Sequence, residues 1–415
     1  MPHTHAAART PREHGAAKPE LAEVFRKFGD AYAATHPVPP AHWKVIRAIV
    51  SCRTAALGGH VEYCSACGFT RAAYNSCRNR HCPKCQALAK ARWLEARRAE
   101  LLAVPYFHMV FTLPHELNAL ALSNKKAVFE LLFAAVADTL LAFGADPQHH
   151  LGGQLGFTAI LHTWDQRLNQ HIHLHCVVPA GALARDGQAW VHARSGFLFP
   201  VKALSRVFRG KFIEGLRQQF NSGALLFPGR TAALKTTQGF APLLRTLWSK
   251  DWVVYSKPSF GGPAQVLDYL SRYTHRVAIS NNRLLRVDHG PVCFAYRDRR
   301  DGNRLKELAL QPLEFIRRFL LHVLPHSFKR IRHFGFLASR HKRSCLARCR
   351  ALLHQREPQQ SPPQQSVRDD MLKLTGVDIA HCPSCTRGLL VPIATLRPQR
   401  PSFLFAAPPK RQDSS

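Results

Sequence analysis

Apolar residues recur every three or four positions over 21–32 and again over 43–50, which predicts two amphipathic helices parted by the break at Pro37, Pro39 and Pro40. A third helical run, 87–102, rich in Ala, Arg and Glu, ends before Pro105. The aromatic and β-branched stretch 106–112 predicts a strand, and 116–143 a long helix. Strands over 155–164 and 171–178 come next, then a hairpin at Arg185, Asp186, Gly187 and Gln188, where Asp-Gly suits a tight turn. Helices over 205–220 and 232–248, a strand over 252–255, a helix over 263–274 and a hairpin over 277–287 turning at Asn281 and Asn282 complete this part. Strands and helices mix without a regular strand–helix–strand repeat, so the expected fold is α+β with a central antiparallel sheet flanked by helices. The pattern beyond it predicts a basic helical region over 314–350, a Pro- and Gln-rich linker over 355–366 and a disordered tail from Pro398.

Composition narrows the class. The chain has 415 residues, 46% of them hydrophobic, enough for a real core and for two or three domains. Its 58 Lys and Arg against 26 Asp and Glu leave a formal net charge of +32, the footprint of a polyanion binder, with nucleic acid ahead of a ribosomal or membrane surface. No apolar signal segment opens the chain, and the longest apolar stretch, 131–143, is interrupted by Asp138 and too short to span a bilayer, so a cytoplasmic protein without a membrane partner is expected. In that reducing compartment the twelve cysteines read as metal ligands before disulfides.

Six of those cysteines lie between Cys52 and Cys85. Cys64-x2-Cys67 and Cys82-x2-Cys85, fourteen residues apart, have the spacing of four thiolates around one zinc ion. Cys52, His60, Cys77 and His81 in the same stretch are the ligands of a second, mixed site, so one or two Zn2+ ions are expected, in a structural module interleaved with Arg71, Arg78, Arg80 and Lys84. Cys345 and Cys349 with Cys382 and Cys385 could supply one more.

The run from His171 to Val178 carries His171, His173 and His175 on one face of a strand, with Ile172, Leu174 and Val177 taking core-facing positions. Three imidazoles so placed call for a metal or an anion, because packed protonated rings repel each other. His162, on the preceding strand, reaches the same face if the two strands pair antiparallel. Such a site suits Mg2+ or Mn2+ that must also hold a phosphate oxygen. Tyr269 and Tyr273, four apart on one helix face, stand beside Arg272, His275 and Arg276. Together these groups suggest a tyrosine nucleophile attacking a phosphodiester polarised by the metal, with no nucleotide cofactor; no Walker-type phosphate loop is in the chain.

Four motifs then carry a resemblance. The run 75–86 (Asn-Ser-Cys-Arg-Asn-Arg-His-Cys-Pro-Lys-Cys-Gln), the segments 162–168 (His-Thr-Trp-Asp-Gln-Arg-Leu) and 171–175 (His-Ile-His-Leu-His), the run 269–276 (Tyr-Leu-Ser-Arg-Tyr-Thr-His-Arg), and 314–325 with 328–336 resemble the two-tyrosine HUH transposases of the insertion sequence 91 family. The resemblance spans most of the chain, from about Cys52 to Phe336. It implies a DNA strand transferase that moves an element through single-stranded intermediates in a rolling-circle-like manner, with single-stranded and element-end DNA as partners, in the bacterial cytoplasm at the nucleoid. His173 and His175 match the HUH pair, His162 the upstream histidine that related relaxases use as a third ligand, and Tyr269 and Tyr273 the tyrosine pair. The family often has Pro where Ile172 stands, which leaves the third ligand open between His162, His171 and Gln166. One tyrosine would nick, leaving a 5′-phosphotyrosine and a free 3′-hydroxyl, and the other would act at the second element end. Arg272, His275, Arg276, Lys329, Arg330 and Arg332 mark the expected path of the DNA backbone.

The resulting division is 1–40 a disordered or helical N-terminal segment, 41–102 a zinc-binding domain, 103–310 the HUH nuclease domain, 311–354 a basic helical region, and 355–415 a linker, a CxxC element and a tail. Rival readings are a replication initiator or relaxase of the same chemistry, and a zinc-dependent DNA-binding regulator without catalysis. A covalent protein–DNA adduct separates the last from the others.

Overall fold

The computed structural model describes residues 18–258, 265, 267, 278–356 and 366–399. Its strands in chain order are β1 (Gly59–Cys64), β2 (Thr70–Tyr74), β3 (Tyr106–Thr112), β4 (Gly153–Gln154), β5 (Gly156–Trp164), β6 (Gln170–Pro179), β7 (Gly181–Ala184), β8 (Trp190–His192), β9 (Val254–Pro258), β10 (Leu284–Arg286), β11 (Val292–Asp298), β12 (Arg304–Leu310), β13 (Ile331–Gly335) and β14 (Leu390–Leu396). Its helices are α1 (Leu21–Thr35), α2 (Pro40–Ser51), α3 (Gln86–Arg98), α4 (Asn118–Ser123), α5 (Lys125–Ala145), α6 (Val201–Asn221), α7 (Thr237–Ser249), α8 (Pro312–Leu321), α9 (Lys342–Leu352) and α10 (Val367–Thr375).

A five-stranded antiparallel sheet in the order β13-β5-β6-β3-β9 holds the centre, which agrees with the expected α+β class. Side chains alternate across it. One face carries Ile172, Leu174, Cys176 and Val178 of β6 with Phe107, Met109, Phe111, Phe157 and Leu161 of its neighbours, in a single core with Phe129, Phe133 and Leu140 of α5 and Phe208 and Phe212 of α6. Each fully buried phenylalanine here contributes about 1.5–3 kcal/mol, so this helical layer is what makes the sheet stable. Helix α5 is long and apolar enough to cross a membrane by composition, and 61% of its most apolar window is packed inside this core. Val177 belongs to the other face, where Ile160, Tyr106, Trp93, Leu346 and Cys349 cover one end.

Two departures from the expected elements have local causes. The helix expected over 116–143 is broken at Asn124, whose side-chain amide donates to the carbonyls of Leu120 and Leu226 and accepts from the Leu226 amide at 2.7 Å. A short polar side chain that bonds backbone groups competes with helix continuation. The basic helix expected over 314–350 is instead α8, strand β13 and α9. Pro325 ends the first piece, and 331–335 pairs with β5 from Ile331↔Ile160 to Gly335↔Gly156, covering an edge whose backbone groups need partners. The hairpin expected to turn at Asn281 and Asn282 pairs differently too: those residues form a 3₁₀ turn and β10 pairs with β11. Of the helix expected over 263–274 only Gln265 and Leu267 are described, both helical; its other residues, the linker residues 357–365 and the tail from residue 400 lie outside the described residues.

A second core joins α1 and α2 to residues 278–323, with Phe25 edge-on to Phe319 at 5.6 Å and Phe294 edge-on to Phe315 at 5.8 Å. Leu168, at the β5–β6 turn, is fully buried in it despite a left-handed φ of 64°. The Asp165 carboxylate accepts the amides of Arg167 and Asn169, and buried His322 donates from Nε2 to the Leu168 carbonyl at 3.1 Å. A bulky residue in that conformation must be held by its surroundings. Here the surroundings anchor the hairpin that carries the histidines.

Candidate metal centres

Antiparallel pairing of β5 and β6 sets His162 directly opposite His173, with His175 two residues further on the same face. The ring of His162 lies 4.4 Å from that of His175 and 5.2 Å from that of His173. All three are buried and can offer one nitrogen each to a common point, the ligand atoms lying within 4.8 Å of one another. His173 Nε2 and His175 Nε2 are 3.1 Å apart. Two ligands held at right angles about 2.1 Å from one ion would sit about 3.0 Å apart, so the pair has the bite of a chelate.

The tautomer of His173 follows from its remaining contact. His173 Nδ1 lies 2.9 Å from the His171 carbonyl, which only accepts, so the proton sits on Nδ1 and the Nε2 lone pair is free for a cation. His175 Nδ1 lies 2.8 Å from Nε2 of His108 on β3, with the rings stacked at 5.1 Å. Burial, then neighbouring imidazoles and Arg299, pushes His173 down to about 3 and His175 well below the ordinary histidine range, while burial and then Arg299 push His108 to about 4. These are neutral, lone-pair-bearing rings, the form that binds metal. His171 is exposed at the start of β6 and outside this group; it contributes its carbonyl. Gln166 sits in the β5–β6 turn, where its carbonyl accepts from Arg283. The sequence pattern did not single out His108, because only the β3–β6 register brings a lone histidine on another strand beside His175.

Tyr269, Arg272, Tyr273, His275 and Arg276 lie outside the described residues. The chain enters that segment from edge strand β9, whose Tyr255 has its ring 6.3 Å from that of His108. The expected backbone path at Lys329, Arg330 and Arg332 is not one exposed stripe. Lys329 is exposed, but Arg330 is buried and its guanidinium pushed down to about 9 by desolvation and by Arg80. Arg332 lies over Phe133 at 4.3 Å and Phe328 at 5.1 Å, on the face of the sheet away from the histidines. Strand pairing of 331–335 is the reason: it turns alternate residues to opposite faces, where a helix would have displayed them along one side.

The thiols form two groups, and their partition differs from the one spacing suggested. Cys52, Cys77, Cys82 and Cys85 converge, and separately Cys64 and Cys67 converge with Cys382 and Cys385. The two knuckles thus belong to different groups, because β1 and β2 carry the first away from the turn that holds the second. His60 and His81 fall outside both: His60 pairs with Glu62 at 3.1 Å, and His81 is buried against Asn79 with its Nε2 accepting from the Leu324 amide. Cys345 and Cys349 are not near Cys382 either, and burial pushes the Cys349 thiol up to about 12 within the core beneath α3 and α9. Four thiols within reach of one point suit tetrahedral Zn2+.

Comparison with known proteins finds two family domains in the chain. A family model described as "Transposase zinc-binding domain" matches residues 24–113, and one described as "Putative transposase" matches 156–345. A protein with the latter description, y4qJ of Sinorhizobium fredii (strain NBRC 101917 / NGR234), is 51% identical over 378 residues, 90% of this chain and 95% of its own. The transposase for insertion sequence element IS801 of Pseudomonas savastanoi pv. phaseolicola is 29% identical over 300 residues, 72% of this chain and 70% of its own. A solved structure of the copper-bound conjugative relaxase TrwC with oriT DNA is 15% identical, with a TM-score of 0.22 over 40% of this chain and 68% of that one, too distant a likeness to carry weight. By its zinc-binding and transposase parts and by its relatives, the chain belongs to the insertion sequence 91 family of transposases.

Proposed function

We propose that this transposase nicks and rejoins single-stranded DNA at element ends through a 5′-phosphotyrosine, with Tyr269 and Tyr273 as nucleophiles. The observation that carries the reading is the buried cluster of His162, His173 and His175 with two Nε2 atoms 3.1 Å apart. These three residues would hold Mg2+ or Mn2+, which when bound supplies positive charge to the scissile phosphate. The His171 carbonyl and His108 hold the ring tautomers so that lone pairs face inward. A tyrosine Oη bonds to phosphorus as the bond from phosphorus to O3′ breaks; the phenol loses a proton, and the departing O3′ takes one up as a free hydroxyl. One phosphodiester replaces another, so rejoining by a 3′-hydroxyl needs no nucleotide. The net charge of +32 draws in the strand, and the working place is the bacterial cytoplasm at the nucleoid.

The test incubates the full chain with a single-stranded end oligonucleotide and Mg2+, followed by denaturing electrophoresis. A 3′-end label is expected to travel with the protein, and a 5′-end label to be released on a fragment with a free 3′-hydroxyl. No adduct at all would favour a non-catalytic DNA binder, and an adduct carrying the 5′ label would reverse the polarity of the chemistry.

His108 acts as a positioning residue in this reading, since it meets the outer nitrogen of a metal-binding imidazole. Partners of that kind are worth about 10–100-fold in metal affinity. His108→Ala is expected to weaken Mn2+ binding by that factor, and His108→Gln, whose amide oxygen still accepts a hydrogen bond, to restore part of it. Equal Mn2+ affinity in all three proteins, read by electron paramagnetic resonance, would remove the role.

A further inference from the structure

The match to a zinc-binding domain ends at residue 113, yet one of the two thiol groups draws half its members from the far end of the chain. Cys64 Sγ lies 3.8 Å from Cys385 Sγ, and Cys67 Sγ lies 3.6 Å from Cys382 Sγ. Four sulfurs about 2.3 Å from a tetrahedral zinc stand about 3.8 Å from each other, so the spacing is that of a closed site. The knuckle geometry is present as well: the Gly388 amide lies 3.3 Å from Cys385 Sγ, and a Cβ at Gly388 would come within 2.3 Å of Cys64 Sγ. Only glycine lets the two halves approach this closely.

The same C-terminal segment adds β14 to β1, from Gly59↔Leu396 to Cys64↔Leu390. Helix α10 rests on α3 through an ion pair between Arg92 and buried Asp370 at 2.8 Å, and Arg71 donates to the Ile379 carbonyl. Little apolar burial accompanies these contacts. The local core consists of Cys64, Cys382 and Leu390 with Phe69 and Cys385 against it, while Val391 and Ile393 of β14 are 47% and 57% exposed. A cluster so small does not hold a segment in place without a staple.

From this we infer that Cys64, Cys67, Cys382 and Cys385 form a second structural zinc site, and that its metal clasps the C-terminal segment to the N-terminal module across more than 300 residues of chain. Metal binding to a site assembled from two distant segments is coupled to their docking. The site rests on sulfur geometry alone and stands or falls independently of the nuclease reading.

Zinc per chain, measured on the purified full-length protein, is expected to be two. Cys382→Ser/Cys385→Ser should hold one, Cys64→Ser/Cys67→Ser one, and the quadruple variant still one, because both pairs serve the same ion. Two zincs retained in Cys382→Ser/Cys385→Ser would overturn the site, as would none in Cys64→Ser/Cys67→Ser, the result if Cys64 and Cys67 shared an ion with Cys82 and Cys85. For the clasp, amide exchange over 390–396 should speed up in both double variants while 106–112 stays protected; unchanged protection of 390–396 would overturn it. Gly388→Ala keeps every thiol and is expected to release one of the two zincs to a mild chelator faster than wild type; equal release rates would count against the closed knuckle.

Discussion

A Tyr269→Phe/Tyr273→Phe double variant is expected to form no denaturation-resistant adduct with a single-stranded end oligonucleotide, while binding that oligonucleotide with an affinity close to wild type. The reason is chemical. Covalent attachment needs an oxygen nucleophile, and phenylalanine retains the ring without it, so the loss is complete where a binding defect would be graded. The single variants divide the roles. If each tyrosine serves one element end, either substitution leaves adduct formation measurable on one of the two end sequences and impairs transposition in cells by orders of magnitude. Normal transposition by Tyr273→Phe would end the two-nucleophile reading and leave Tyr269 as the sole candidate. Adduct persisting in the double variant would remove both.

The second large effect is expected at the histidine strand. His173→Ala/His175→Ala should lower the Mg2+-dependent nicking rate by about 10³-fold or more, which corresponds to roughly 4 kcal/mol or more of lost transition-state stabilisation. Two features keep this from being a folding defect. The removed rings lie on one face of β6, whereas Ile172, Leu174, Cys176 and Val178 on the other face make the contacts to the main core. The main-chain pairing of β6 with β3 and β5 does not involve the imidazoles. The variant is therefore expected to keep its bound zinc and its cooperative melting while losing Mn2+ binding. Wild-type nicking by this protein would show that the cluster is not the metal site of the reaction. Replacing His171 alone by Ala is the matching control: its ring lies 4.6 Å from that of His173 but outside the ligand group, and the carbonyl that meets His173 Nδ1 is kept, so nicking should change little.

Much of the central domain was legible because local pattern and tertiary environment agree there. Strand 106–112 falls where its aromatic and β-branched residues predict, and the histidine strand is one residue longer at each end than expected. The Asp186-Gly187 turn joins β7 to β8. At 331–335 they disagree. Lys329, Arg330 and Arg332 give a basic, helix-compatible stretch, but β5 offers an open edge in the middle of the molecule, and satisfying its backbone outweighs local propensity. The same event buries Arg330 and turns Arg332 onto phenylalanine rings.

The candidate sites divide along the same line. Residue type and spacing of two put His171, His173 and His175 together, since a strand must place them on one face, but left His171 among the candidate ligands, and the structure sets it outside the group. His162 needed the pairing register, and His108 needed a third strand. The cysteines make the contrast plainest. Sequence by itself determined that this is a basic α+β protein with paired thiol knuckles and a histidine strand, because charge, alternation and ligand spacing are properties of neighbouring residues. Which thiols come together was decided only by the tertiary structure: a cluster is closed by whichever side chains meet in space, and the pairing of β1 with β14 brings Cys64 to Cys385 across the length of the chain while Cys82, fifteen residues from Cys67, turns to a different group.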